Sequence, residues 1–453
     1  MVDKKKIALF EEIPIPKAVV SMAVPTVISS LVMVIYNLAD TYFVSMLNNS
    51  VENAAVTLAA PILLAFNAVN NLFGVGCSSM MSRALGEREY DTVRKTSAFG
   101  FYCSLLFGLL ISIICLSFNK PLLTMLGTDS ETFLATAAYI KWTVIFGAVP
   151  SILNVVLAYF VRSEGSSLHA SIGTMSGCLI NIILDPLFIL PNGLNMGAAG
   201  AGFATFISNC IACSYFLVLI AVKHKKTYVC INLKMFGFNR RIALGVFAVG
   251  IPAAIQNLLN VTGMTVLNNF TSAYGADAVA AMGIAQKISM VPMYVAMGIS
   301  QGIMPLVSYN YSSGNIARMK KTVVFSAKGT TFLMVCAAAV CYFGAEGLMR
   351  LFIDNSNIVN YGEKFLRGFS IAQPFLNMDF LAVAVFQATG MGKLSLLFAV
   401  LRKIVLEIPA IILLNLIFPL YGLAYSQMAA EIVLAVVAVV VLINLFKKLE
   451  KQV

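Results

Sequence analysis

A carboxylate and an amide lie one helical turn apart inside a long apolar stretch. Asn181 and Asp185 stand in the sequence NIILDP, with apolar runs on both sides. A carboxylate at membrane depth costs at least about 2.5 kcal/mol, so it is a candidate functional residue that needs a partner. The first apolar segment supplies Asp40, with Asn37 three residues before it. Two carboxylates repel unless a proton or cation lies between them, so the pair predicts a site for H+ or Na+.

The depth of these residues in their segments supports one shared site. Counted from the predicted outer ends at about 1.5 Å per residue, four residues lie near a level roughly 10 Å below the outer surface: Asp40, Asp185, Thr205 and Tyr139. Each acid also shares a helix face with an amide, because Asn181 and Asn37 precede the acids by four and three residues. Oxygen ligands without histidine or cysteine suit Na+ or a shared proton better than a soft metal. The alternative is a network of hydrogen bonds between helices that only stabilises their packing.

The composition places these residues in a membrane protein. Of the 453 residues, 59% are apolar and 11% are charged, and the mean hydropathy is +0.87. Soluble domains carry about 25% charged residues. The net charge of +11 would indicate a nucleic-acid partner only on a soluble domain with a basic face, and none is predicted. We therefore expect membrane lipid and no nucleic acid as a partner.

Twelve apolar runs are long enough to span a bilayer, which takes about 20 residues. They cover residues 18–47, 54–82, 97–118, 134–161, 170–191, 198–222, 242–272, 278–307, 323–343, 365–388, 394–418 and 421–446. The first run is too long for a cleaved signal peptide. Alternate connections are basic, whereas opposite connections such as 48–53, 191–196 and 419–422 hold almost no lysine or arginine. The positive-inside rule places the basic connections and both termini in the cytoplasm. The sequence predicts a multi-pass protein of the plasma membrane.

The two halves of the chain resemble each other around a central basic connection. Pro25 and Pro252 each lie about eight residues inside the first helix of a half. Pro25 interrupts the backbone hydrogen bonds of its helix and is a predicted hinge. The predicted all-α architecture has two pseudo-symmetric six-helix lobes, which enclose a site by rocking against each other. Its parts are a cytoplasmic N-terminus (1–17), an N-terminal lobe (18–222), a cytoplasmic linker (223–241), a C-terminal lobe (242–446) and a cytoplasmic C-terminus (447–453).

Four stretches together resemble the multidrug and toxic compound extrusion (MATE) family. They are YNLADTYF at 36–43, NIILDP at 181–186, GAAGAGFAT at 197–205 and FQATGMGK at 386–393. The resemblance covers nearly the whole length. It implies a secondary transporter that exports lipophilic, mostly cationic compounds, driven by Na+ or H+. We expect no further cofactor, and we expect the chain to function as a monomer.

The resemblance also implies roles for individual residues. In the family, the first-lobe cation site is formed by the counterparts of four residues: Asp40, Asn181, Asp185 and Thr205. Tyr139 and Asn154 match further positions of that network. One branch of the family has an acid in segment 7 where this chain has Gln256, whereas Asp379 matches an acid of that branch. The residues predicted for the substrate cavity are Tyr36, Asn154, Gln256, Lys287 and Asp379.

Other charged residues in the second half have structural explanations. Lys403 and Glu407 have the i, i+4 spacing of a pair that neutralises itself within one helix. Lys287 and Asp379 fall near mid-depth, and they either pair beside the substrate cavity or serve the packing of the lobe. No partner for Glu431 is evident in the sequence.

Two other functions remain open. A flippase of related architecture for lipid-linked precursors would need several cationic side chains in its cavity, and basic residues at mid-membrane are few. An integral membrane enzyme would need a nucleophile and a base, and the two histidines, His169 and His224, lie at cytoplasmic edges. The sequence has no Walker loop, so ATP-driven pumping is not expected.

Overall fold

The computed structural model of the chain is built from helices. It describes residues 4–47 and 49–451, and that part of the chain contains no β-strand. The remaining residues of the predicted cytoplasmic termini, 1–3, 452 and 453, lie outside the described residues, as does residue 48 in the first outer connection.

The described residues form twelve long helical segments, one for each predicted span, and ten of these, or eleven with the bent α4, are long and apolar enough to cross a membrane. In the first half they are α1 (Ile15–Ser45), α2 (Ser50–Gly86), α3 (Tyr90–Ser117), α4 (Phe133–Phe146 and Ala148–Ser163), α5 (Ser167–Ile189) and α6 (Gly197–Val222). In the second half they are α7 (Arg240–Ser272), α8 (Ala276–Ser312), α9 (Ile316–Phe343), α10 (Ser356–Ala388), α11 (Gly392–Val400, Leu401–Glu407 and Ile408–Ile417) and α12 (Gly422–Glu450). Short helices are formed by Lys4–Glu11, Asn119–Met125, Leu233–Met235 and Ala345–Arg350.

Asparagine side chains define where several of these helices begin. Asn49 accepts a hydrogen bond from the backbone N–H of Val51 at 3.0 Å. Asn315 and Asn355 do the same at the starts of α9 and α10. The first N–H groups of a helix have no partner within it, so a side-chain oxygen at this position stabilises the helix by about 1 kcal/mol.

Helices α4 and α11 depart from a regular apolar span. The two parts of α4 meet at a bend of 48°. The middle of α11 is a π-helical stretch, Leu401–Glu407, and it contains three buried charged residues: Arg402, Lys403 and Glu407. A π-helical turn inside an α-helix often marks a functional or strained position. Charge inside a span is costly, so α11 requires partners within the protein.

The helices form two compact units whose limits fall inside α1 and α7. The first unit contains the residues up to Glu12 and Ile28–Ala254, and the second contains Ile13–Val27 and the residues from Ile255 onward. The boundaries of the lobes predicted from the sequence lie instead between helices, at residues 222 and 242. In the structure each boundary between the units lies two residues after a proline, either Pro25 or Pro252.

Close helix packing explains why the first turns of α1 belong to the second unit and those of α7 to the first. A Cβ atom at Gly302 of α8 would lie 2.8 Å from the Cα atom of Ala23, within the second unit. A Cβ atom at Gly250 of α7 would lie 2.0 Å from the carbonyl oxygen of Leu72, within the first unit. Only glycine allows backbones to approach this closely, so these contacts fix each helical segment to its unit.

Candidate functional site

The two acids predicted to share a site lie together in the first unit. Asp185 on α5 is fully buried and Asp40 on α1 is half-buried. Their carboxylates are near enough to interact electrostatically. Tyr139 on α4 is buried and interacts with both of them. Three helices that are separate in sequence therefore bring oxygen atoms to one place.

The amide of Asn181 connects Asp185 to α6. In the orientation that satisfies both neighbours, its NH2 group donates to the Asp185 carboxylate at 2.9 Å. Its carbonyl oxygen accepts from the hydroxyl and the backbone N–H of Thr205, at 3.3 Å and 3.1 Å. The one-turn spacing of Asn181 and Asp185 puts both on the same face of α5. The amide thus holds the Asp185 carboxylate in place.

The position of Thr205 is set by the start of α6. The carboxylate of Glu52, on α2, accepts a hydrogen bond from the backbone N–H of Ala198 at 2.6 Å. A negative charge at this end complements the helix dipole and satisfies a backbone donor that has no partner within the helix. Glu52 therefore stabilises the start of α6, the GAAGAGFAT stretch, in the position in which Thr205 contacts Asn181.

Tyr36 belongs to the same group of residues, although the sequence suggested the substrate cavity for it. Its hydroxyl lies near Thr205, and it interacts electrostatically with Asp40 and Tyr139. Tyr36 precedes Asp40 by four residues and so lies on the same helix face. We refer to these residues as the carboxylate cluster: Tyr36, Asp40, Tyr139, Asn181, Asp185 and Thr205.

Two predicted residues do not join the carboxylate cluster. Asn37 is exposed, and its backbone carbonyl accepts a hydrogen bond from the hydroxyl of Thr41. Three residues of α-helix correspond to about 300°, so Asn37 points about 60° away from Asp40. Asn154 is buried deeper in α4, where its NH2 group donates to the side chain of Asn209 on α6 at 3.2 Å.

A second set of charged residues is buried in the second unit around Arg402. The Arg402 guanidinium lies 3.2 Å from the carboxylate of Asp379 on α10 and 2.7 Å from that of Glu431 on α12. Beside it, the predicted pair of Lys403 and Glu407 is present at 2.6 Å. All five side chains are less than 10% exposed. We call Asp379, Arg402, Lys403, Glu407 and Glu431 the buried charge group.

The buried charge group corrects two expectations from the sequence. Lys287 and Asp379 do not pair: Lys287 is exposed on α8, and the cation beside Asp379 is Arg402. Glu431, for which the sequence suggested no partner, also binds Arg402. The sequence feature that indicates these pairings is the adjacency of Arg402 and Lys403. Neighbouring residues on a helix point in different directions, so two buried cations need separate acids. The side chain of Gln256, which was predicted for the substrate cavity, accepts a hydrogen bond from that of Gln387 at 3.3 Å.

One family model matches each half of the chain. The MatE model matches residues 25–187 and 252–413, so the second match begins 227 residues after the first and ends 226 residues after it. This result confirms the predicted repeat. Counted by these offsets, Asp40 falls at Val266 or Leu267 and Asp185 at Ile411 or Ile412, all of them apolar. The acid pair is therefore a feature of the first half.

Known proteins resemble the chain along its whole length. The multidrug export protein MepA of Staphylococcus haemolyticus (strain JCSC1435) is 34% identical over 442 residues, which is 97% of this chain and 96% of the relative. MepA of Staphylococcus aureus (strain MRSA252) is 32% identical over 436 residues, or 95% and 94% of the two chains. An outward-facing multidrug resistance MATE family transporter of the MOP superfamily superimposes with a TM-score of 0.93, at 25% identity and with full coverage of both chains. The chain therefore belongs to the MATE family, as a helical membrane transporter with two six-helix lobes and not as an enzyme.

Proposed function

We propose that the chain exports lipophilic, mostly cationic compounds from the cytoplasm in exchange for Na+ or H+, and that the ion binds at the carboxylate cluster. The observation that carries this proposal is the approach of Asp40 to buried Asp185. Among the described residues neither carboxylate forms an ion pair, so a proton or Na+ is the charge that balances them. Tyrosine and threonine oxygens nearby complete a set of ligands that a hard cation prefers.

The position of Asp40 supports a coupling role for the bound ion. A ligand shifts a conformational equilibrium only when its affinities for the two conformations differ. Asp40 lies on α1, a helix that contributes its first turns to one compact unit and its remainder to the other. Ion binding between α1 and α5 therefore acts on a helix that belongs to both units, which suits an exchange mechanism.

The relatives and the charge distribution favour drug export over the flippase alternative. The two Staphylococcus relatives are named as multidrug export proteins. A flippase for a pyrophosphate-linked lipid needs cationic side chains that are available to phosphate. Arg402 and Lys403, the basic residues in the middle of α11, are both engaged with carboxylates. The residues predicted for the substrate cavity stay part of this proposal.

Dye export from vesicles tests the proposed function. Purified protein is reconstituted, a fluorescent lipophilic cation is supplied, and Na+ and proton gradients are imposed separately. We expect the dye to move against its own gradient under at least one of the two ion gradients. Dye movement that ignores both gradients would refute ion-coupled export, and the gradient that drives movement identifies the coupling ion.

Removing the amide or hydroxyl that supports Asp185 is expected to reduce coupled export without abolishing it. Asn181→Ala and Thr205→Ala each remove a hydrogen-bonding group, while both carboxylates remain. The Asn181 amide donates to a charged carboxylate, and loss of such a hydrogen bond is worth about 1.5–3 kcal/mol, so we expect ion affinity to fall by roughly tenfold or more in Asn181→Ala and by less in Thr205→Ala. The measurement is the ion concentration that gives half-maximal dye export. Asn209→Ala is the matched control on α6, and an equal shift in that variant would contradict a specific role for Asn181.

Replacing Pro25 with alanine is expected to slow export while leaving the protein folded. Alanine restores the backbone N–H that proline lacks and removes the steric cause of a kink in α1. We expect export to fall severalfold at equal expression, with an unfolding temperature equal to or above that of the wild type. Pro61→Ala, at a proline inside α2, is the control. Unchanged export in Pro25→Ala would show that this proline has no role as a hinge.

The orientation of the chain is part of the proposal and has its own test. The one-sided distribution of lysine and arginine places both termini and the connection after α6 in the cytoplasm. A cysteine introduced by Asn232→Cys is expected to react with a membrane-impermeant thiol reagent only after cells are permeabilised. The unmodified chain, which has nine cysteines, gives the background. Labelling above that background in intact cells would reverse the orientation.

A further inference from the structure

An open polar cavity of about 220 Å3 lies where the start of α3 meets the connection after α6. Tyr90 and Arg94 line it from α3, and Lys225, Lys226 and Tyr228 line it from the connection. All of these residues belong to the first unit. None of them is part of the carboxylate cluster or the buried charge group, so the proposed exchange mechanism leaves this cavity without a role.

The lining of the cavity carries uncompensated positive charge. Arg94, Lys225 and Lys226 are exposed, and none of the three forms an ion pair within residues 4–47 and 49–451. The acid in the lining, Asp91, is paired with Lys95 at 2.6 Å. Three cations that converge on one concave surface raise the local concentration of anions. The cavity is therefore suited to a negatively charged ligand.

The wall formed by the connection is held in place by a buried acid and an aromatic stack. Glu164, whose side chain is 3% exposed, pairs with Lys6 and accepts hydrogen bonds from the hydroxyl of Thr227 and the backbone N–H of Tyr228. The ring of Tyr228 stacks on Tyr90 with centroids 4.9 Å apart and an angle of 12° between the planes. A ligand at this wall does not have to order it, and this preorganisation favours binding.

Tyr228 also provides a buried hydrogen-bond donor beside the cations. The residue is 5% exposed, and its hydroxyl, which lies near that of Tyr90, makes no hydrogen bond of acceptable geometry with any residue that the structure describes. Burial raises the pKa of the Tyr228 hydroxyl, and the neighbouring Tyr90 and Glu164 raise it further. The hydroxyl therefore keeps its proton at neutral pH. A buried donor without an acceptor costs free energy, and an anionic oxygen is the acceptor that compensates most strongly.

We propose that this cavity binds a phosphate group, carried either by the headgroup of an anionic phospholipid or by a soluble phosphate compound. A phosphate offers several charged oxygens to three separate cations and one hydroxyl, which a single carboxylate does not. Basic pockets at the cytoplasmic ends of spanning helices are suited to anionic headgroups, and tyrosine favours the same interface. A bound phosphate would join the connection after α6 to the start of α3.

Binding measurements on the full-length protein in detergent distinguish the two sources of phosphate. Native mass spectrometry measures the affinity for phosphatidylglycerol against phosphatidylcholine, and titration calorimetry measures binding of inorganic phosphate and pyrophosphate. The site variant combines Arg94→Gln, Lys225→Gln and Lys226→Gln. The matched control combines Lys447→Gln, Lys448→Gln and Lys451→Gln, which removes the same charge from the C-terminal end. Tyr228→Phe removes only the hydroxyl and keeps the ring for stacking on Tyr90.

The expected result is a selective loss of binding in the site variants. Each cation contributes about fivefold in affinity near an anionic headgroup, so the site variant should bind on the order of a hundredfold more weakly, and the control as the wild type does. Tyr228→Phe should lose about tenfold. Selective loss for phosphatidylglycerol identifies a lipid site, and selective loss for phosphate or pyrophosphate identifies a soluble ligand. Equal losses in the two triple variants, or unchanged binding in Tyr228→Phe, would show a diffuse positive surface and overturn the site.

Discussion

Export of a cationic dye against its gradient is expected to fall to the level of protein-free vesicles when either Asp40 or Asp185 is replaced with asparagine. Asparagine has nearly the shape of aspartate, but it has no charge and does not bind or release a proton. Either variant leaves one carboxylate where there were two, so it removes half of the negative charge that attracts the ion and all of the like-charge repulsion that a bound ion relieves. The differential affinity that coupling requires is then absent.

A matched control separates this effect from the general loss of an acid. Asp277→Asn removes an exposed carboxylate in the first turn of α8, and we expect it to export dye at the wild-type rate. All variants are compared at equal amounts of protein in the vesicle membrane. If Asp40→Asn and Asp185→Asn also export at the wild-type rate, the acid pair is a structural contact between helices.

Replacing Arg402 with methionine is expected to destabilise the folded protein by about 3–5 kcal/mol, the usual cost of removing one partner from a buried ionic group. Methionine is similar in length and apolar, so it fills the space but leaves Asp379 and Glu431 without their cation. Water does not reach these side chains, which are 1% and 0% exposed. The measurement is the unfolding temperature in detergent, together with the yield of protein inserted in the membrane.

A compensated variant tests whether charge is the cause of this loss. The combination of Arg402→Met, Asp379→Asn and Glu431→Gln removes the cation and both acids together. We expect most of the lost stability to return, because replacing a whole buried ionic group by neutral residues is often tolerated. Equal unfolding temperatures for the single variant and the wild type would contradict a structural role for Arg402.

The helices and the repeat could be predicted from the sequence because a bilayer allows few backbone structures to span it. Every backbone polar group in the hydrocarbon region needs a partner within the segment, so an apolar run of sufficient length becomes a helix. The approach of Asp40 to Asp185 was predicted by the same logic, since equal depth in different helices is readable from spacing. The amide of Asn181 followed from its one-turn distance to Asp185.

The remaining features depend on helix rotation and packing that spacing does not specify. Asn37 and Tyr36 both precede Asp40 by about one turn, and the rotation of α1 selects Tyr36 for the carboxylate cluster. The partner of Asp379 depends on how α10, α11 and α12 contact each other, so Lys287 was as plausible a partner by depth as Arg402. The limits of the two units fall inside α1 and α7 because backbone contacts at Gly302 and Gly250 determine where each helix packs.

The most direct test of the coupling site is the ion movement that accompanies dye export. Vesicles with the wild-type protein are energised with a dye gradient alone, and the counter-movement of protons or of radioactive Na+ is recorded. The wild type is expected to move one of these ions in the opposite direction to the dye, whereas Asp40→Asn and Asp185→Asn are expected to show no dye-dependent ion movement. Dye-dependent ion exchange of wild-type size in both variants would contradict the assignment of the carboxylate cluster as the coupling site.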